Sequence, residues 1–209
     1  MKATSAVDVC NLALGELGNK PITKLTSPAT NEEVICAKHY DNTRRAVLRS
    51  HIWNFAKFRM VLSRTGTPAF EFTDQYLLPN DYIRFVQARA VDGQQFFKED
   101  YDIADSRLLL NAGGAVAVNF TYIYDHDVVT KWDPLFLKLM VLNLAKDMSY
   151  EITRKNTVKD SILNEISLIE GRIKGIDGQE KPPRRVENSR LTTLRRGLTN
   201  VASKFNGVR

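Results

Sequence analysis

The chain has 209 residues, 43% of them apolar and 26% charged, with a net charge of +6. That balance can build a sizeable soluble core, while no unbroken apolar run exceeds four residues, which is too short to span a bilayer. Two cysteines and three histidines lie scattered and match no zinc spacing, and the opening MKATSAVDVC has no apolar signal stretch, which predicts synthesis and folding in a cytosol.

Residues 4–18 predict an amphipathic helix, with Thr4 or Ser5 as cap and Val7, Cys10, Leu14 and Leu17 at i, i+3, i+7 and i+10. Gly18-Asn19 stops it and Pro21 enforces the break. Thr30 followed by Glu33 is a capping-box pattern opening a second helix, with Cys36, Tyr40, Thr43 and Val47 on one stripe and an end near Ser50. Cys10 and Cys36 both fall on apolar faces, so buried free thiols are predicted rather than a disulfide. Residues 53–63 read as a separate, angled turn of helix, closed by Thr65-Gly66-Thr67-Pro68.

From residue 69 the period changes to two. Phe70 and Phe72 alternate with polar neighbours, residues 82–88 alternate again, and Val116, Val118, Phe120, Tyr122 and Tyr124 share one face. Asp92-Gly93 and the run Asn111-Ala112-Gly113-Gly114 are turn chemistry between such segments. Residues 69–125 therefore predict a small antiparallel sheet of four or five strands. Asp133-Pro134 then opens a third helix. Residues 135–145 are apolar on nearly every side, which demands cover all round, at the centre of a bundle or in a subunit interface. A fourth helix, about 157–175, carries one seam of Ile162, Ile166, Ile169, Ile173 and Ile176, and Gly175, Gly178 and Pro182-Pro183 close the folded part. The predicted fold class is α+β: a mainly α-helical bundle body (1–68 and 126–180), an inserted small antiparallel β-sheet (69–125) and an extended basic C-terminal arm (181–209).

The charge is unevenly placed. Residues 181–209 hold eight of the 30 basic residues and one of the 24 acids, a net +7 that leaves −1 for residues 1–180. Arginine exceeds lysine six to two there, which favours positioned, bidentate contacts over diffuse charge. Arg184, Arg185, Arg190, Arg195, Arg196 and Lys204 thus point to an arm that docks on a protein partner, with nucleic acid second and a solvated tail third. The arm lacks the aromatic interleaving of a base-stacking platform.

Residues 40–64 set Arg44, Arg45, Arg49, Arg59 and Arg64 among Trp53, Phe55 and Phe58. The plain reading is an amphipathic stretch whose arginines reach out and pair with nearby acids. The sharper one makes Tyr40, Arg44, Arg45, Arg49, Trp53 and Phe55 hinge and subunit-interface residues. For catalysis little recommends itself. Asp125-His126-Asp127 reads as a polar loop with no second ligand cluster, and no nucleophile elbow or phosphate-binding glycine loop occurs. No enzymatic activity, cofactor or metal is predicted.

The opening NLALGELG, the connection PITKLTSP and the run Cys36-x3-Tyr40-Asp41-x2-Arg44-Arg45-x2-Leu48-Arg49-x-His51-x-Trp53-Asn54-Phe55-Ala56 together resemble the podovirus head-to-tail adaptor (tail tubular protein A) family. A YQLPxD motif of that family is matched by Gln75-Tyr76-Leu77-Leu78-Pro79-Asn80-Asp81 with one leucine inserted, and Ile52 stands where the family often has proline. The likeness covers residues 6–86. It implies a structural protein of the virion tail, made in the host bacterial cytoplasm, that forms a ring of twelve copies. The ring would sit between portal protein and tail nozzle protein, with double-stranded DNA passing through its lumen and the C-terminal segment gripping the portal. It implies no membrane insertion. The alternative is a DNA-binding protein that uses the polybasic arm.

Overall fold

A computed structural model describes residues 3–93, 96 and 100–180. Met1–Gly178 form one compact unit; the second, Gln179–Arg209, lies almost wholly outside the described residues. The chain runs α1 (Ala6–Glu16), α2 (Asn31–Ser50), β1 (Lys57–Gly66), β2 (Asp74–Leu77), β3 (Tyr82–Ala90), β4 (Tyr101–Ala104), β5 (Arg107–Leu110), β6 (Ala117–Tyr124), α3 (Pro134–Thr153) and α4 (Asn156–Gln179). Among the described residues 46% are helical and 23% lie in strands, so the sheet is a full second layer. The expected mainly helical bundle with a small inserted sheet is overturned: this is an α+β fold of four helices and a curled six-stranded antiparallel sheet.

The helix starts follow local chemistry. Ser5 and Asp8 form one capping box and Thr30 and Glu33 another. The amide of Ala29 holds the Glu33 carboxyl below its ordinary range. Asp133 accepts from Leu135 and Phe136 amides at 2.7 and 3.2 Å, with Pro134 at the first helical position. α3 is covered within the chain: Phe136, Leu139, Met140, Leu142, Leu144, Ala145 and Met148 are all buried, and α1 and α2 pack against it. Its all-round apolarity is thereby satisfied without a neighbouring subunit.

The sheet order is β3-β6-β1-β2-β5-β4. β1 is the strand the sequence disguised as helix. Its residues 57–63 pair with β6, and Arg64 and Gly66 pair with β2 on either side of an irregularity, so one strand serves both halves of the sheet. At Gly66 a Cβ would meet Gln75 Nε2, the end of a flexible side chain, at 3.0 Å, so a larger residue there would have to displace it. Met60 and Leu62 turn inward, alternating with exposed Arg59, Val61 and Ser63. Phe58 lies on the same side as Met60 but is 48% exposed, and apolar Val61 faces outward, so the period of two is blurred. The expected Phe70/Phe72 strand is instead loop, with Phe70 74% exposed, and Val116 lies outside β6 at 80% exposed.

The curl brings the two edge strands together. Phe85 of β3 and Tyr101 of β4 have ring centroids 4.4 Å apart, and the Phe96 amide donates to the Ala88 carbonyl at 3.4 Å. Inside the curl Leu62, Tyr76, Leu78, Leu108, Leu110, Val118, Phe120 and Tyr122 form a second core, separate from the helical one. Two bulges in β3 leave Ile83 and Val86 as extra residues, and both pack into the helical core. At the far end of the sheet Asp74, fully buried, accepts from Thr73 Oγ1 at 2.6 Å and Gly114 N at 2.9 Å and pairs with Arg64. Burial opposes its charge, but those hydrogen bonds and the Arg64 guanidinium outweigh it and hold the carboxyl below its usual range.

α4 runs beyond its expected end, through Gly175 and Gly178 to Gln179. Ile173 and Asp177 are buried there, so tertiary contacts carry the helix past residues of poor intrinsic propensity.

Candidate functional site

The run from Tyr40 to Asn54 lies where helices meet sheet, and almost every polar group in it is engaged inside the chain. Arg44, with its side chain 11% exposed, places Nη1 3.0 Å from Asp41 Oδ1 and Nη2 3.0 Å from Asp125 Oδ1. Its Nε donates to the same Asp125 oxygen at 3.2 Å. Asp125 follows the last residue of β6, so Arg44 ties α2 to the sheet. Arg45 Nε approaches Asp125 Oδ2 at 3.6 Å from the exposed side. The Arg44 guanidinium also lies 5.8 Å from the Tyr40 ring centroid, and burial pushes the Tyr40 hydroxyl well above its ordinary pKa.

Arg49 and Arg84 make a second tie. Arg49 Nη1 donates to the Ile83 carbonyl at 2.7 Å, and Arg84 Nη1 donates to the Arg49 carbonyl at 2.9 Å. A third joins the turn after α2 to the end of α4. His51 Nε2 lies 3.0 Å from Asp177 Oδ2, the Asn54 amide donates to Asp177 Oδ1 at 2.9 Å, and Asn54 Nδ2 donates to the Asp177 carbonyl. Trp53 sits at the centre of these ties, 1% exposed, its Nε1 donating to the Val47 carbonyl at 2.9 Å. Its ring meets His51 and Phe136 edge-on at 4.9 and 5.1 Å, while Phe55 packs on Phe136 at 4.8 Å.

Tyr40, Arg44 and Trp53 therefore lie inside the chain, and only Arg45 and Arg49 present substantial surface. The Gln75–Asp81 segment converges on these two: Arg45 and Arg49 share a polar groove of about 550 Å³ with Pro79, Asn80 and Ser106. The sequence did not reveal Asp125 and Asp177 as the acceptors, since each lies more than 80 residues from its partner. Arg184, Arg185, Arg190, Arg195, Arg196 and Lys204 lie outside the described residues.

The Asp125-His126-Asp127 triplet is not assembled as a reactive centre. Asp125 belongs to the two arginines, and His126 is 2% exposed beneath Tyr124 and Phe55, where burial lowers its pKa. Among the described residues no group of three or more His, Cys, Asp or Glu side chains could hold a metal ion, and no helix is long and apolar enough to cross a membrane. No protein-family model matches this chain, and no curated protein does.

Proposed function

We propose that this chain is a structural head-to-tail connector of a short-tailed bacteriophage, forming a ring between portal and tail nozzle, closing the DNA-filled capsid and continuing the ejection channel. The observation that carries the reading is the run from Cys36 to Ala56. It resembles the connector family in sequence, and its polar residues fasten this chain's own layers instead of surrounding a reactive cleft. A protein of this kind works by assembly, not turnover. It needs a rigid body that withstands internal pressure and a separate element that grips a partner. The basic arm, with Arg184, Arg185, Arg190, Arg195, Arg196 and Lys204, is that element in this reading, docking on the portal.

Electron microscopy of the chain mixed with its portal tests it: the expected image is a ring capping the portal. Replacing the six basic arm residues by glutamate should abolish attachment while the melting temperature stays unchanged. Attachment that survives this change sinks the arm's role. A chain that binds duplex DNA through its arm with a steep salt dependence, and never a portal, is instead the DNA-binding alternative.

A further inference from the structure

The arginines of residues 40–64 are not equivalent. Arg44, Arg45, Arg49 and Arg64 each have a partner in the fold. Arg59 has neither hydrogen bond nor ion pair among the described residues. The register of β1, β6 and β3 shows where it points. Arg59 stands opposite Thr121, which stands opposite Gln87; the next outward row is Val61, Asn119 and Arg89. These side chains share the outer face, since Phe58, Met60, Phe120, Tyr122, Phe85 and Ala88 occupy the inner one. Arg89 is half-buried, and its Nε is wholly buried without a hydrogen-bond partner.

Two guanidiniums with no partner among the described residues therefore flank a shallow cleft of about 330 Å³. Between them lie Thr121, Gln87 and Asn119, whose Nδ2 donates to the Ala90 carbonyl at 3.4 Å, and among the described residues no carboxylate lines it. A buried cationic donor left unpaired costs free energy that an incoming anion would recover. We propose that this outer sheet face binds a polyanion, the phosphodiester backbone of duplex nucleic acid. Arginine, asparagine, glutamine and threonine are the side chains that reach phosphate oxygens. Among the described residues none of its outward side chains in these two rows is an aromatic on which a base could stack, Phe120 turning to the inner face. It also lacks the large apolar anchor that a protein interface needs, with Val61 its one substantial exposed apolar side chain. The inference does not depend on the connector reading, because portal attachment tests that one and duplex binding tests this one.

Titrate the full chain with a short random-sequence DNA duplex by fluorescence anisotropy, at several salt concentrations. The Arg59→Ala/Arg89→Ala chain should bind more weakly, with the slope of log K against log salt shallower by about 1.8, the loss of two phosphate contacts. Arg59→Lys/Arg89→Lys should keep the slope. The melting temperature is measured in parallel. If the alanine pair unfolds, the exposed Arg59→Ala alone should still flatten the slope by about 0.9. An unchanged slope in the alanine variants overturns the proposal. So does a wild-type chain that binds polyglutamate in preference to the duplex, which would identify an acidic protein partner.

Discussion

Arg44 and Asp125 lie 81 residues apart in the chain, yet two nitrogens of one guanidinium meet a single carboxylate oxygen at 3.0 and 3.2 Å. The pair joins the middle of α2 to the exit of β6, and Arg44 is buried in doing so. Removing the arginine leaves Asp125, partly covered, without its main counter-charge. Breaking a pair of this kind costs about 3 kcal/mol or more when both partners are buried, and less here because Asp125 retains some water. Arg44→Ala is expected to lower unfolding stability by about 2 kcal/mol in urea titration. Its duplex-DNA affinity should stay at the wild-type value. A variant with intact stability and weakened DNA binding would show that the arginine faces a ligand instead of the sheet.

Asp74 sets an acid limit for the sheet. Its folded pKa is depressed below the ordinary 3.8, so its contribution is fully present above that value. The contribution is lost as pH falls through the lower, folded pKa. Acid titration followed by circular dichroism should show stability falling below pH 3.8. Asp74→Asn should be less stable at neutral pH and fall less steeply in acid. Parallel acid curves for the two chains would rule this out.

Gly171 and Gly175 sit in α4 with nothing within 4 Å of where a Cβ would stand. Neither has a left-handed backbone. Alanine there loses less conformational entropy on folding than glycine does. Each substitution is expected to stabilise the chain by about 0.5–1 kcal/mol, read as a raised melting temperature. A loss of stability would mean that α4 is not continuous through these positions.

Cys10 and Cys36 are both fully buried, and Cys36 Sγ lies 3.6 Å from Met148 Sδ. The neighbouring Cys36 thiol, together with burial, pushes Cys10 far above its ordinary pKa. Both thiols are shut off from solvent, so a colorimetric thiol reagent should find none in the native chain and two after denaturation. Rapid labelling of the folded protein would contradict the packing of α1 against α2.

Some of this molecule was legible from local chemistry. Thr30 with Glu33, and Asp133 before Pro134, mark helix starts because caps use neighbours three residues away. The α4 seam from Ile162 to Ile173, though not its last member Ile176 at 37% exposed, and the inward alternation of Val118, Phe120 and Tyr122 are equally local, being one element's own periodicity. β1 escaped because exposed Phe58 and outward Val61 blur its alternation, and only its register against β6 and β2 fixes it as a strand. The length of α4 escaped because Asp177 is held from outside the helix, by His51 and Asn54.

The run of arginines in residues 40–64 shows the division most clearly. The sequence determined by itself that several fixed positive charges would sit beside large rings at the end of a helix. Which of those charges are neutralised depends on Asp125 and Asp74, and Arg49 finds its acceptor in the Ile83 carbonyl, each brought close only by folding. Coulomb attraction and hydrogen bonding act over a few ångströms, whereas sequence records order along a chain. Tertiary structure alone therefore decided that Arg44 holds the layers together and that Arg59 stands on the outer face of the sheet with no partner among the described residues.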